Sequence, residues 1–190
     1  MSNNDVVSAN QRRLSEKLVI VINGKGGAGK DTVCEAAAKH FRVSVISSIT
    51  PIKEIAACCG WTGEKDNKSR KFLADLKALL IDYNGLPNNY LEKEYDDFIH
   101  SENDLLFVHI REGSQIDDFK KRIPTKCVTL IVRSPVIDDS RIVFGNVSDD
   151  DVEAYDYDYS YINSAAIEAL DSDFVEFLGK MFAAVGIRVI

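Results

Sequence analysis

Residues 23–32 read N-G-K-G-G-A-G-K-D-T, and this stretch satisfies three phosphate-binding patterns at once. As G-x-x-x-x-G-K it ends in Lys30. As K-G-G-x-G-K it carries a second lysine, Lys25. As G-x-G-x-x-G it uses Gly24, Gly26 and Gly29. All three rely on glycines that let backbone N–H groups converge on a phosphate. All three also run into a helix N-terminus, whose free N–H groups and dipole favour an anion. The stretch has one irregularity: Asp31 follows Lys30, where a phosphate loop ends in Ser or Thr.

The flanking sequence supplies the context. Residues 17–23, K-L-V-I-V-I-N, form an apolar β-branched run that predicts a buried parallel strand. Residues 30–41 have helical spacing, with Val33, Ala36, Ala37 and Phe41 on one face. Strands are expected at 43–48, 104–110 and 127–132, with a short fifth at 157–163. Helices are expected at 51–60, opened by Pro51, and at 68–85, 89–101, 114–123 and 164–186. The last is expected to break near Asp171-Ser172-Asp173. In 68–85 an apolar stripe of Phe72, Leu76, Leu79, Leu80 and Tyr83 marks the strongest helix of the chain. Strands alternating with helices predict an α/β fold in three layers, a parallel sheet of about five strands with helices on both faces.

The chain of 190 residues suits one domain, expected over 17–190 behind a flexible extension of residues 1–16. Residues 133–156 are polar, acidic and weakly periodic, and are expected to form a short lid. The net charge of −7 argues against nucleic acid and anionic membranes as partners. No apolar run reaches membrane-spanning length, and the N-terminal residues lack the apolar core of a signal peptide. Cys34, Cys58, Cys59 and Cys127 show no C-x-x-C spacing, which fits reduced thiols in a cytoplasmic protein.

The second strand separates the three readings of the loop. A dinucleotide site needs an acid about twenty residues past the glycines, to hold a ribose hydroxyl. Residues 43–51, V-S-V-I-S-S-I-T-P, contain none. ATPases of the two-lysine type resemble the partitioning and nitrogenase-iron proteins, and they too place aspartates at the end of this strand. The plain phosphate loop remains, with Gly24 to Gly29 (Gly24, Lys25, Gly26, Gly27, Ala28, Gly29), Lys30, Asp31 and Thr32 as the nucleotide-binding residues. Its lysine reaches the β- and γ-phosphate oxygens in such sites.

The G-K-D-T ending resembles a subset of phosphate-loop kinases, the deoxynucleoside monophosphate kinases and the animal-type phosphomevalonate kinases. The resemblance extends in patches over most of residues 18–185. After the second strand those families carry P-[IL]-K-[DE], matched by Pro51-Ile52-Lys53-Glu54. After the third they carry D-x-R, matched by His109-Ile110-Arg111. Before the last helix they carry I-x-N, matched by Ile162-Asn163-Ser164. The resemblance implies a nucleoside monophosphate kinase-like fold, ATP and Mg²⁺ as cofactors, and a phosphorylated small-molecule acceptor. It places Asn163 near the adenine and Lys53 and Arg70 at the acceptor. Two departures stand out. His109 replaces the aspartate that lies near the metal, and no long lid domain fits between residues 133 and 156. A histidine at a strand end is more simply a satisfied packing residue than a base.

A carboxylate about 4 Å from a phosphate charge costs on the order of 4 kcal/mol at an effective dielectric near 20. Asp31 therefore either holds Mg²⁺, directly or through water, with Thr32 as the alternative ligand, or acts only as an acid at a helix N-terminus. Two polyanions also need cations beyond Lys30. Arg111 and Arg133 follow the third and fourth strands, and Arg141 lies in the expected lid. The acidic run 149–161 reads as a solvated face, and Trp61 as a packing residue. The expectation is a cytoplasmic kinase acting on a (deoxy)nucleoside monophosphate. The alternatives are a phosphomevalonate-type kinase, a partner-activated ATPase using Lys25 across a homodimer, and a nucleotide-binding protein without turnover.

Overall fold

In the computed structural model the described residues are 11–135, 151–164 and 167–190. Five strands form one sheet: β1 (Leu18–Asn23), β2 (Val43–Ser47), β3 (Leu105–His109), β4 (Cys127–Arg133) and β5 (Tyr159–Ile162). Their spatial order is β2-β3-β1-β4-β5, and every pairing is parallel. The six helices among the described residues are α1 (Lys30–Ala38), α2 (Thr50–Cys58), α3 (Asn67–Asn84), α4 (Leu86–His100), α5 (Gly113–Arg122) and α6 (Ile167–Ala184). A 3₁₀ turn covers Asp151–Ala154. The expected three-layer α/β architecture is thus observed.

Strand alternation divides the core. Leu18, Ile20 and Ile22 of β1 face one side with Leu105, Phe107, Leu130 and Val132, and α1 and α6 cover them through residues such as Val33, Ala37, Phe174 and Phe182. Val19, Val21, Leu106 and Val108 face the other side, under Leu91 and Phe98 of α4 and Ile116 and Phe119 of α5. β1 lies at the centre and is buried along its whole length, which explains its unbroken apolar sequence. The loops that follow β1, β2, β3, β4 and β5 all emerge at one edge.

Three expectations need correction. The boundary at residue 16 moves toward the N-terminus, because Gln11 to Ser15 are held: Arg12 pairs with Phe41 and Leu14 with Val189, Leu14 is buried, and Asp104 accepts bonds from Arg13 Nε at 2.7 Å and Leu14 N at 3.2 Å. The last helix runs unbroken through Asp171-Ser172-Asp173, where Ser172 Oγ returns a bond to the Ala169 carbonyl. The α3 stripe does not form core: Phe72, Leu79 and Tyr83 are 37%, 62% and 81% exposed, while Lys77 is the buried residue of the helix. α3 turns the opposite face to α2 and α4. The 133–156 segment falls largely outside the described residues.

Phe174 is fully buried and meets Tyr161 and Phe177 edge-on or stacked. Phe174→Ala is expected to lower the unfolding free energy by about 4 kcal/mol through lost burial and the cavity left behind. Urea unfolding at a fixed protein concentration checks this.

Candidate functional site

The site is built at the carboxyl end of β1. Asn23, the last residue of that strand, is 1% exposed. Its Oδ1 accepts from Gly24 N at 2.8 Å, and its Nδ2 donates to the Arg111 carbonyl at 2.9 Å and to Tyr157 Oη at 2.8 Å. One amide thus ties the loop entrance to the backbone just after β3 and to Tyr157 just ahead of β5. Gly24 then turns with φ +146°, and a Cβ there would overlap the Val132 carbonyl oxygen of β4. At the other end, Gly29 adopts φ +87°, and a Cβ there would overlap the Asn163 side chain. Only glycine meets both the conformation and the close approach at these two positions.

Gly29 is also the N-cap of α1, and it offers no side-chain acceptor. The first N–H groups of α1 accordingly have no side-chain cap and point toward the mouth of the loop, where an anion can take them up. Lys30 Nζ donates to the carbonyls of Gly24 at 2.6 Å and Lys25 at 3.0 Å. The lysine bridges the entrance of the loop from its exit. Lys25, Gly26 and Gly27 form the crest between them, and Ala28 N closes a turn on the Lys25 carbonyl at 3.2 Å.

Asp31 projects into solvent, with a 91% exposed side chain whose Oδ1 lies 3.9 Å from His109 Nε2. Thr32 beside it is exposed. His109 ends β3 and lies beside Asp31 and Cys34 of α1. Burial pushes its pKa down from 6.5 to about 4; Asp31 opposes the shift, while Lys30, Arg111 and Lys53 reinforce it. The imidazole is therefore neutral at pH 7, and its contact with Asp31 is not an ion pair. Cys34 Sγ lies 3.9 Å from the same ring nitrogen, and burial raises that thiol far above its ordinary range.

The residues picked out in the sequence fall into three groups. Lys30, Asp31, Arg111 and Lys53 are close enough to act on His109 electrostatically. Asn163 lies against the loop, but its side chain donates to the Ala28 carbonyl at 3.1 Å and its backbone N–H to the Arg133 carbonyl at 2.7 Å, so its visible work is to clamp the loop. Arg133 ends β4, where its guanidinium holds Glu153 at 2.7 Å and Ser160 Oγ at 2.6 Å. Arg70 lies in the first turn of α3. Arg141 falls outside the described residues.

Sequence reasoning overlooked Asn23 and the Lys77 cluster. Lys77 Nζ lies 2.6 Å from Glu112 and 3.3 Å from Ser48 Oγ, joining α3 to the ends of β2 and β3. An asparagine closing an apolar strand was the available signal for the first. For the second the signal was a lysine opposite the apolar stripe, and the stripe itself masked it.

No protein-family model and no curated protein sequence matches the chain. Solved structures similar to it include a protein of Chloroflexus aurantiacus (11% identity, 87% of this chain and 97% of that one, TM-score 0.48). A sugar kinase of Janibacter sp. is 14% identical over 86% of this chain and 94% of that one, with a TM-score of 0.46. The APS kinase of Mycobacterium tuberculosis, solved with AMPPNP and APS, is 12% identical over 86% and 98%, also at 0.46. The site is therefore read from its own residues. No described helix is long and apolar enough to cross a membrane.

The low pKa of His109 has a fixed sign. Between about 4 and 6.5 the unfolded chain binds a proton that the folded chain does not. The stability due to the neutral ring is complete above pH 6.5 and is lost as pH falls toward 4. His109→Gln is expected to flatten the stability profile across that window, and an NMR titration of the wild-type ring should give a midpoint near 4.

Proposed function

We propose that this chain is an ATP-dependent kinase that transfers the γ-phosphoryl group to a phosphorylated small molecule, and that the acceptor is a (deoxy)nucleoside monophosphate. The observation that supports it most is the loop of residues 24–29. Its glycines are enforced at both ends by close backbone and side-chain approach, and it leads into an α1 terminus without a side-chain cap. The order of G-K-D-T, P-I-K-E, H-I-R and I-N-S along the chain supports the acceptor class.

The residues present fit ATP with Mg²⁺. The loop and the α1 N-terminus offer converging N–H donors, and Asp31 and Thr32 offer exposed oxygen ligands of the hard type that Mg²⁺ takes. When bound, the metal would neutralise charge on the phosphates. Lys30 Nζ, bound to the carbonyls of Gly24 and Lys25, exchanges these carbonyl oxygens for phosphate oxygens. Arg111, at the end of β3, binds and orients the transferring phosphoryl. Arg133 must release Glu153 before it can assist, so it is the secondary cation. Lys53, at the start of α2, and Arg70 bind the acceptor phosphate. Phosphoryl transfer is mostly positioning and charge stabilisation, so this set of cations suffices without a protein nucleophile. His109 favours one second reading, nucleotide binding without turnover, since a neutral ring replaces the carboxylate expected beside the metal.

The test is ADP release from Mg·ATP across a panel of nucleoside monophosphates and phosphomevalonate. Acceptor-dependent release that Lys30→Ala abolishes is the expected result. Release equal to that of the Lys30→Ala variant for every acceptor would sink the kinase reading, and a nucleotide titration would then decide whether the site binds at all. Arg111→Ala is expected to lower the rate by about 10³-fold, the lower value for an arginine on a transferring phosphoryl group. Asp31→Ala should raise the Mg²⁺ requirement about tenfold or more, as loss of a metal-holding oxygen does. An unchanged Mg²⁺ titration would remove Asp31 from the metal.

A further inference from the structure

Lys77 is a charge placed where an apolar residue would serve packing as well. Its side chain is 8% exposed, and its Nζ lies 2.6 Å from Glu112 and 3.3 Å from Ser48 Oγ. Burying an ion pair strips water from both charges, and apolar residues of similar volume often hold such a place at equal or lower cost. Stability alone is thus a poor reason for the pair. Its partners supply a better one. Glu112 directly follows Arg111 and is the N-cap of α5, yet its carboxylate makes no bond to that helix and turns to Lys77. Ser48 follows β2, and its N–H donates to the His109 carbonyl at 3.1 Å. α3 itself packs on α2 and α4. Among the described residues, Lys77 makes the side-chain hydrogen bonds that join α3 to the carboxyl end of the sheet.

We infer that Lys77 is a positioning residue for phosphoryl transfer: through Glu112 it fixes Arg111 and the α3 face that carries Arg70 in one frame. The inference rests on the kinase reading above, in which Arg111 orients the transferring phosphoryl and Arg70 binds the acceptor phosphate. Two grips meet at Arg111. On one side its carbonyl accepts from Asn23 Nδ2 at 2.9 Å, and Asn23 Oδ1 holds Gly24 at the entrance of the phosphate loop. On the other side the adjoining Glu112 is held by Lys77. Arg70 and Lys77 stand seven residues apart in α3, two turns, so they share a face at a spacing of about 10 Å along the axis. The bonds thus run from the loop that would hold ATP, past Arg111, to the helix that would hold the acceptor.

Such a link matters because donor and acceptor are held by separate elements. They react only while those elements keep their spacing, and a misplacement of about 1 Å can cost about 10²-fold in rate. Apolar contact is non-directional and leaves a helix free to slide. An ammonium bonded to a carboxylate after β3 and to a hydroxyl after β2 is directional, and it sets the helix against both strand ends at once.

Three measurements on Lys77→Met and on the double variant Lys77→Met/Glu112→Met test it: kcat, Mg·ATP binding by calorimetry without acceptor, and urea unfolding. The acceptor is the nucleoside monophosphate that gives the fastest ADP release with the wild type. Lys77→Met is expected to lower kcat at least about tenfold while the Kd of Mg·ATP stays within about twofold. The double variant leaves no orphaned charge, so it should resist urea as well as the wild type or better, with kcat still low. That split separates positioning from packing, because a pair that only held the fold together would return kcat along with stability. A stable double variant with wild-type kcat overturns the inference, as does a Lys77→Met loss carried by Mg·ATP affinity. A double variant that cannot fold makes the pair a folding element and overturns it too. A wild-type chain without acceptor-dependent release fails the kinase reading and takes this inference with it. Wild-type release that Lys77→Met leaves unchanged overturns this inference alone.

Discussion

The hydrogen bonds of Asn23 hold the candidate site together. A buried amide costs free energy unless its donors and acceptor are matched, and here all three bonds are made to groups from different parts of the chain. The loop entrance, the backbone after β3 and Tyr157 ahead of β5 therefore cannot shift independently. The contact of Gly24 with the Val132 carbonyl and the clamp of Asn163 on Ala28 complete the constraint from the β4 and β5 side. The loop owes its shape to four strand ends and not to its own sequence alone. A flexible glycine segment would lose much of its anion affinity in ordering itself, and this arrangement places that ordering in the folding step.

Much of the fold was legible because burial on both sheet faces leaves a clear mark. β1 and β3 are short apolar runs, and α5 turns Ile116 and Phe119 inward as its spacing predicts, with Ile123 buried just past its end. Position along the sheet was not legible. The order β2-β3-β1-β4-β5 depends on pairings between strands far apart in sequence, and no local pattern encodes them. α3 shows why periodicity fails on its own. An apolar stripe reports that a surface is to be covered, but not by what. Lys77 is the residue that discriminates, since a lysine opposite the stripe is affordable inside only where Glu112 and Ser48 meet it, and both are supplied from other elements.

The site was legible in its backbone and less so in its side chains. Glycine spacing announces the loop because φ values of +146° and +87° exclude other residues. The roles of arginines are harder to read, since a guanidinium reaches far and takes whichever carboxylate lies near. Arg133 is at the expected strand end, yet Glu153 and Ser160 engage it there. Residue 153 is weakly marked in the sequence, one acid among many in an acidic stretch.

His109 changes the electrostatics of the site in a definite direction. A carboxylate at this position would attract Lys30, Arg111 and Lys53, all of which act on the ring that occupies it. Each would then present less field to a phosphate. A neutral imidazole adds no countercharge of its own, so the strand end is more positive by about one charge than with an aspartate. On a chain with net charge −7, that local excess concentrates attraction for polyanions at the loop. Asp31 is the carboxylate beside the ring, its Oδ1 3.9 Å from Nε2 and its side chain 91% exposed. Its negative charge stands at the rim of the site, where solvent lowers the cost of bringing it near an anion.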